Sequence, residues 1–201
     1  MTEIEQKIAD LKAVPFDPSG RYRAWSSYLA KYHCDVVCEI GIRQGFHFKY
    51  IIEHNPKEAV AIDCWIEDGV VGINDSCYDQ AGLERQYEKF KGLMTDKPFV
   101  KIVRKYSFDA VKDFPDEYFD YIFIDANHTY EGVSRDLVDW YPKVKKGGVL
   151  CGHDYRGRKS RDAIGRIYKF GVVEAVDEFV KKNNITDFFV LTPNPSWVII
   201  K

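Results

Sequence analysis

The sequence predicts an α/β doubly wound fold: a mostly parallel, seven-stranded sheet that ends in an antiparallel hairpin. Three observations predict it. Short apolar, β-rich runs alternate with stretches of helical period. Glycines and acids gather where those runs end. The last two runs lie too close together for a crossover helix to join them.

The elements follow in order. Ile4, Ile8 and Leu11 recur at helical spacing and open the chain with a short amphipathic helix. Pro15, Pro18 and Gly20 interrupt it, and a second helix is expected over 21–32. Residues 1–32 read as an N-terminal helical cap on one domain spanning 1–201. Apolar runs at 35–40, 59–62, 99–103, 118–124 and 148–151 suit buried parallel strands. Helical patterns separate them: at 46–53, around Leu83, Tyr87 and Phe90, at 108–113, and through Tyr130, Val133, Leu137 and Tyr141. A helix near 172–182 precedes strands at 187–191 and 197–201, which the short segment 192–196 forces to pair antiparallel. Segments 66–79 and 155–170 are not needed by the sheet. Both follow strand carboxyl ends, where open α/β sheets bind ligands.

Composition narrows the function. A net charge of −2 argues against a general nucleic-acid or membrane-surface binder, and no apolar run approaches the roughly 20 residues of a membrane span. Cys34, Cys38, Cys64, Cys77 and Cys151 are odd in number and lack CxxC spacing, which favours reduced thiols. The first residues carry acids and no apolar core of a signal peptide, so the expected location is the cytoplasm. Homo-oligomerisation is compatible with all of this and is not decided by it.

The first strand runs into Glu39, Gly41, Arg43 and Gly45, an acid followed by a glycine turn. Dinucleotide sites favour G-x-G-x-x-G, which seats a pyrophosphate on a helix N-terminus. A carboxylate at the strand end repels a pyrophosphate and suits an ammonium group instead. Asp63 ends the second strand, where an acid accepts hydrogen bonds from ribose hydroxyls or serves as a helix cap or solvated loop acid. Here the chain resembles the S-adenosylmethionine-dependent methyltransferases, whose first motif is an acid with spaced glycines; Arg43 stands where that motif has its middle glycine. The resemblance implies a Rossmann-like class I methyltransferase fold. It makes Glu39, Gly41, Gly45, Asp63 and Asp125 cofactor-binding residues, with Trp65 flanking the adenine or packing in the core. Ser107, after Tyr106, falls where the family contacts the adenine edge.

The fourth strand ends Asp125-Ala-Asn127-His128-Thr-Tyr130-Glu131-Gly132, and the fifth ends Gly152-His153-Asp154-Tyr155. Two of the five histidines thus converge with two acids on one sheet edge, a concentration that packing does not require. Asn127 is expected to cap the following helix, with Glu131 favouring its positive end and Asp136 on its solvated face. These two motifs closely resemble the metal-dependent small-molecule O-methyltransferases, the macrolide-sugar type, over about residues 35–155. The resemblance implies that Asp125 and Asp154 hold a divalent metal such as Mg²⁺. It makes His128 the general base, and His153 either a third ligand or a hydrogen-bonded structural histidine. The expected reaction is methyl transfer from S-adenosyl-L-methionine to a hydroxyl of a small-molecule acceptor. A metal-independent methyltransferase and an NAD-dependent oxidoreductase are the rivals, with a catalytically silent nucleotide-binding protein behind them. Finally, Arg156, Arg158, Lys159, Arg161, Arg166 and Lys169 face one acid, Asp162, over 156–169. That segment is either a solvated loop or a lid over an anionic acceptor.

Overall fold

The computed structural model describes residues 1–13, 23–67, 79–157, 159–161, 167–192 and 195–201. Pro15, Pro18 and Gly20, the expected helix start at 21–22, Cys77 with most of the 66–79 segment, and Arg158, Asp162 and Arg166 lie outside the described residues.

Two helices, α1 (Glu3–Ala13) and α2 (Arg23–Lys31), precede strand β1 (Val36–Ile40). Then α3 (Phe48–Ile51), β2 (Glu58–Asp63), α4 (Gln80–Leu93), β3 (Val100–Arg104), α5 (Ser107–Ala110), β4 (Phe119–Ile124), α6 (Tyr130–Trp140) and β5 (Val144–Gly152) alternate. A small hairpin, β6 (Lys159–Arg161) with β7 (Ile167–Lys169), leads to α7 (Val172–Lys182), β8 (Phe188–Leu191) and β9 (Ser196–Ile200). The main sheet has the order β3-β2-β1-β4-β5-β9-β8. The pairs among β1 to β5 are parallel, and β9 runs antiparallel to both neighbours. The expected doubly wound sheet with its terminal hairpin is therefore present.

Burial follows position in that order. In β9 every residue is buried, and in β1, β2 and β4 nearly all are, as strands covered on both faces should be. The edge strands β3 and β8 bury only part of their length. Alternating side chains feed two cores. Val37, Ala61, Tyr121 and Cys151 pack toward α1–α4, with Leu11, Trp25, Phe48 and Phe90. Cys38, Ile62, Ile122 and Leu150 pack toward α6 and α7, with Leu137, Trp140 and Val176.

Local differences from expectation have local causes. The fifth strand starts at Val144 rather than 148, its register shifting between Phe119 and Tyr121 of its partner. The expected 46–53 helix is one turn, and 108–113 divides into α5 and a 3₁₀ turn, Val111–Asp113. Part of the basic segment is the β6–β7 hairpin. Cys34, Cys38, Cys64 and Cys151 are free thiols, and no described helix is long and apolar enough to cross a membrane.

Candidate active site

A cleft of about 1770 Å³ opens at the carboxyl ends of the parallel strands. Its seam is where β1 meets β4. The Asp125 N–H donates to the Ile40 carbonyl and the Gly41 N–H to the Ile62 carbonyl, each at 2.8 Å. A Cβ on Gly41 would stand 2.1 Å from the Asp125 carbonyl oxygen, and its φ of +91° is itself a glycine conformation. Arg43 keeps the turn its motif position demands, at φ +52°, despite carrying a side chain.

The β1–β3 half holds Glu39, Asp63 and Ser107. Glu39 is 2% exposed and lies 3.0 Å from Nδ1 of buried His47. Burial pushes its carboxyl up, against the opposing pull of His47. Asp63 accepts backbone N–H bonds from Arg43 and Trp65, both at 2.8 Å, and so ties the glycine turn to β2. Burial raises its carboxyl too, opposed by the backbone donors. Trp65 is fully buried beside Tyr87 and Phe90 and donates from Nε1 to the Arg43 carbonyl. The structure thus gives it a core position in the cleft wall. Ser107 donates to Oδ1 of Asp136 at 2.5 Å.

The β4–β5 half gathers Asp125, His128 and Asp154. One ligand atom from each lies within 4.8 Å of the others, close enough for a single metal ion to reach all three. His128 Nε2 is 3.1 Å from Asp125 Oδ1 and 3.5 Å from Asp154 Oδ2. His153, read as either a third ligand or a structural histidine, stands outside that group, its Nδ1 3.4 Å from Asp154 Oδ1; His128, the expected base, stands inside it. Arg156 also reaches Asp154, with Nη2 2.5 Å from Oδ1. Burial would raise both acids, but His128 and His153 hold Asp125 below the usual carboxylate range, and His153, His128 and Arg156 do the same for Asp154. Asp154 takes φ +54°, a strained backbone at the head of the site.

Two features fix the imidazole of His128. The Phe170 ring stacks on it, centroids 4.6 Å apart and planes 11° apart, and the Gly171 N–H donates to the His128 carbonyl at 2.8 Å. A Cβ on Gly171 would meet the Tyr130 backbone at 2.4 Å.

Two expectations need correction. Thr129, not Asn127, caps α6: its hydroxyl accepts from the Gly132 N–H, while Asn127 Oδ1 accepts from the Thr129 N–H one step earlier. Asp136 is not on a solvated face but 3% exposed, because it shares the buried stripe of Val133, Leu137 and Trp140. Burial raises its carboxyl to about 7, the Ser107 hydrogen bond opposing. Sequence reading also missed His47 and Phe170, and it placed Arg156 in the basic segment without its tie to Asp154. The helical period carried a signal for Asp136; nothing in the sequence pairs the other three with their partners.

A model of the methyltransferase domain family matches residues 38–155. In fold, the chain is similar to the O-methyltransferase from Bacillus cereus in complex with SAH, with TM-score 0.63 and 12% identity over 98% of this chain and 90% of that one. It is similar to the O-methyltransferase NovP, with TM-score 0.62 and 16% identity over 92% and 79%. It is 25% identical over 130 residues to y4gI, an uncharacterized protein of Sinorhizobium fredii; the match takes in 61% of this chain and spans 13% of that protein's length. Since the matched residues run from β1 to just past Asp154 and so include both halves of the cleft, the chain belongs to the methyltransferase domain family and has its class I fold.

Proposed function

We propose that the chain transfers the methyl group of S-adenosylmethionine to a hydroxyl of a small molecule, a sugar or a polyphenol-like acceptor, with a divalent metal assisting. One domain over 1–201 carries the reaction, with 1–32 as its cap. The observation behind this reading is the meeting of Asp125, His128 and Asp154 on one wall of a cleft whose other wall is the glycine turn. The cleft exceeds the roughly 300–1,000 Å³ of a pocket for one small ligand, so cofactor and acceptor fit together.

The donor chemistry suits both groups. Two carboxylates kept ionised by their neighbours are hard oxygen ligands and favour Mg²⁺; an imidazole beside them extends the range toward Mn²⁺, Fe²⁺ or Zn²⁺. Bound there, a divalent cation supplies a positive charge that lowers the pKa of an acceptor hydroxyl by several units. Asp125 and Asp154 are the residues that would hold it. His128 is the base that takes the hydroxyl proton, and Phe170 keeps its ring plane aimed between the two acids. Glu39 and Asp63 receive the ammonium and the ribose hydroxyls of the cofactor, and Gly41 and Gly45 let the backbone approach it. Arg156 and Lys169, bordering the cleft, suit an acceptor that bears an anionic group. The likeness to a methyltransferase solved with SAH supports the cofactor, and the likeness to two O-methyltransferases supports a hydroxyl acceptor.

The test begins with calorimetry. S-adenosylhomocysteine stabilises the protein by about 2.7 kcal/mol at a hundredfold excess over its Kd, and NAD does not. Binding of NAD alone would instead mark an oxidoreductase. With an acceptor found by screening, EDTA abolishes turnover while cofactor affinity stays; full activity in EDTA favours the metal-independent reading. Cofactor binding with no acceptor turned over favours the silent one.

A further inference from the structure

Asp136 is a buried acid that the methyl transfer above does not use. It sits on the second turn of α6, on a stripe otherwise filled by Val133, Leu137 and Trp140, where an apolar side chain would pack without cost. Among the described residues its side-chain hydrogen bond comes from Ser107, and no cation pairs with it: neighbouring Arg135 lies over the Phe108 ring instead, 4.0 Å from the centroid. The pair is not sealed in the core. Ser107 and Asp136 both border the cleft, together with Asp63 and Asp125. Beside them Tyr106 and Phe108 stack within 6° of parallel, so this end of the cleft offers aromatic faces next to one strong acceptor. A group with a flat ring and an N–H at its edge matches both.

Resting on the reading that the cleft holds S-adenosylmethionine, we infer that Asp136, held by Ser107, accepts a hydrogen bond from the 6-amino group of the adenine and thereby selects the purine. The physical case is one of unmet demand. Burial leaves the carboxyl raised, and an N–H donor from a ligand stabilises its charged form where the protein supplies only a hydroxyl. Perturbed acids of this kind gather at binding sites more than in plain cores.

The probes are S-adenosylhomocysteine and its 6-deamino analogue, in which hydrogen replaces the 6-amino group and N1 stays an acceptor, titrated by calorimetry at pH 8. The wild-type protein prefers the adenosyl compound by roughly tenfold to a hundredfold, the worth of one hydrogen bond to a charged group. In Asp136→Leu no acceptor is left for the 6-amino group, and the preference collapses toward unity. Ser107→Ala, which leaves the carboxylate unheld, lowers the ratio as well and serves if the leucine variant does not fold. A ratio left at the wild-type value in both variants overturns the assignment. So does equal binding of the two compounds by the wild type, with the cofactor reading intact. If the wild type binds neither compound, the cofactor reading falls and the assignment falls with it.

Discussion

The acids along the two halves of the sheet edge are displaced in opposite directions. Glu39, Asp63 and Asp136, on the side of β1–β3, are raised by burial and answered by an imidazole, backbone N–H groups or a hydroxyl. Asp125 and Asp154, beyond β4 and β5, resist the same burial because imidazoles, and for Asp154 a guanidinium as well, surround them. In that half the partners present do not offset burial, and under the proposed function the ammonium, ribose and adenine of the cofactor add to them. The other half is already anionic, and under the proposed function a divalent metal is the cation it would hold. Stability follows the same division. A raised acid binds its proton more tightly in the folded state and costs stability as pH climbs past its unfolded value, whereas a lowered acid contributes stability that is lost on acidification.

The largest effect should come from the anionic half. His128→Ala is expected to lower kcat by roughly 10²–10⁴-fold, the usual loss for positioned acid–base catalysis. Because His128 lies within the donor group, Mn²⁺ titration of the same variant decides its part: unchanged affinity marks a base, lost affinity a ligand. Asp154→Asn should remove metal stimulation while S-adenosylhomocysteine still binds. Loss of cofactor affinity there would erase the division between the halves.

In the other half, Asp136→Asn removes an acid whose carboxyl rises from an ordinary 3.8 to about 7. At about 1.4 kcal/mol per pH unit, the variant should gain up to about 4 kcal/mol of stability at pH 8. The gain should fall below about 1 kcal/mol near pH 4, where the folded state holds the proton and the unfolded state holds it about half the time. Denaturant melts at the two pH values check it, and a gain that persists at pH 4 would refute the buried titration. The same change should cost purine selectivity, a trade of function against stability.

The seam comes next. Gly41→Ala drives a methyl into the Asp125 carbonyl and strains φ, so a loss of about 2 kcal/mol or more is expected, with cofactor and metal sites weakened together. An effect on one site alone would show the halves to be independent. The smallest change is Arg43→Gly. It relieves a left-handed arginine but loosens the unfolded chain, and the two terms leave stability within about 1 kcal/mol of wild type.

Much of this was legible in the sequence for a specific reason. Strand ends carry their acids in short contiguous motifs, so Asp125 with His128, and His153 with Asp154, could be placed on the edge from chain order alone. Contacts that cross elements left no such mark. Phe170 meets His128 across the whole of α6 and β5 in sequence, and His47 meets Glu39 around the glycine turn. Asp136 was misread for a different reason. The helical period puts it at i+3 from Val133, on the buried stripe, while its charge alone points to a solvated face.

The place of β9 has a consequence for synthesis. Gly152, the residue before His153, pairs with Trp197, and a Cβ there would stand 2.6 Å from the Trp197 ring. Translation delivers residues 196–200 after every acid and histidine named above. Until they arrive, β5 presents an open edge and β8 has no strand to join, since β9 lies between them. The growing chain thus carries all its chemical groups before it can hold them in place, and it is in that interval that ribosome-bound chains should be most prone to pair with one another.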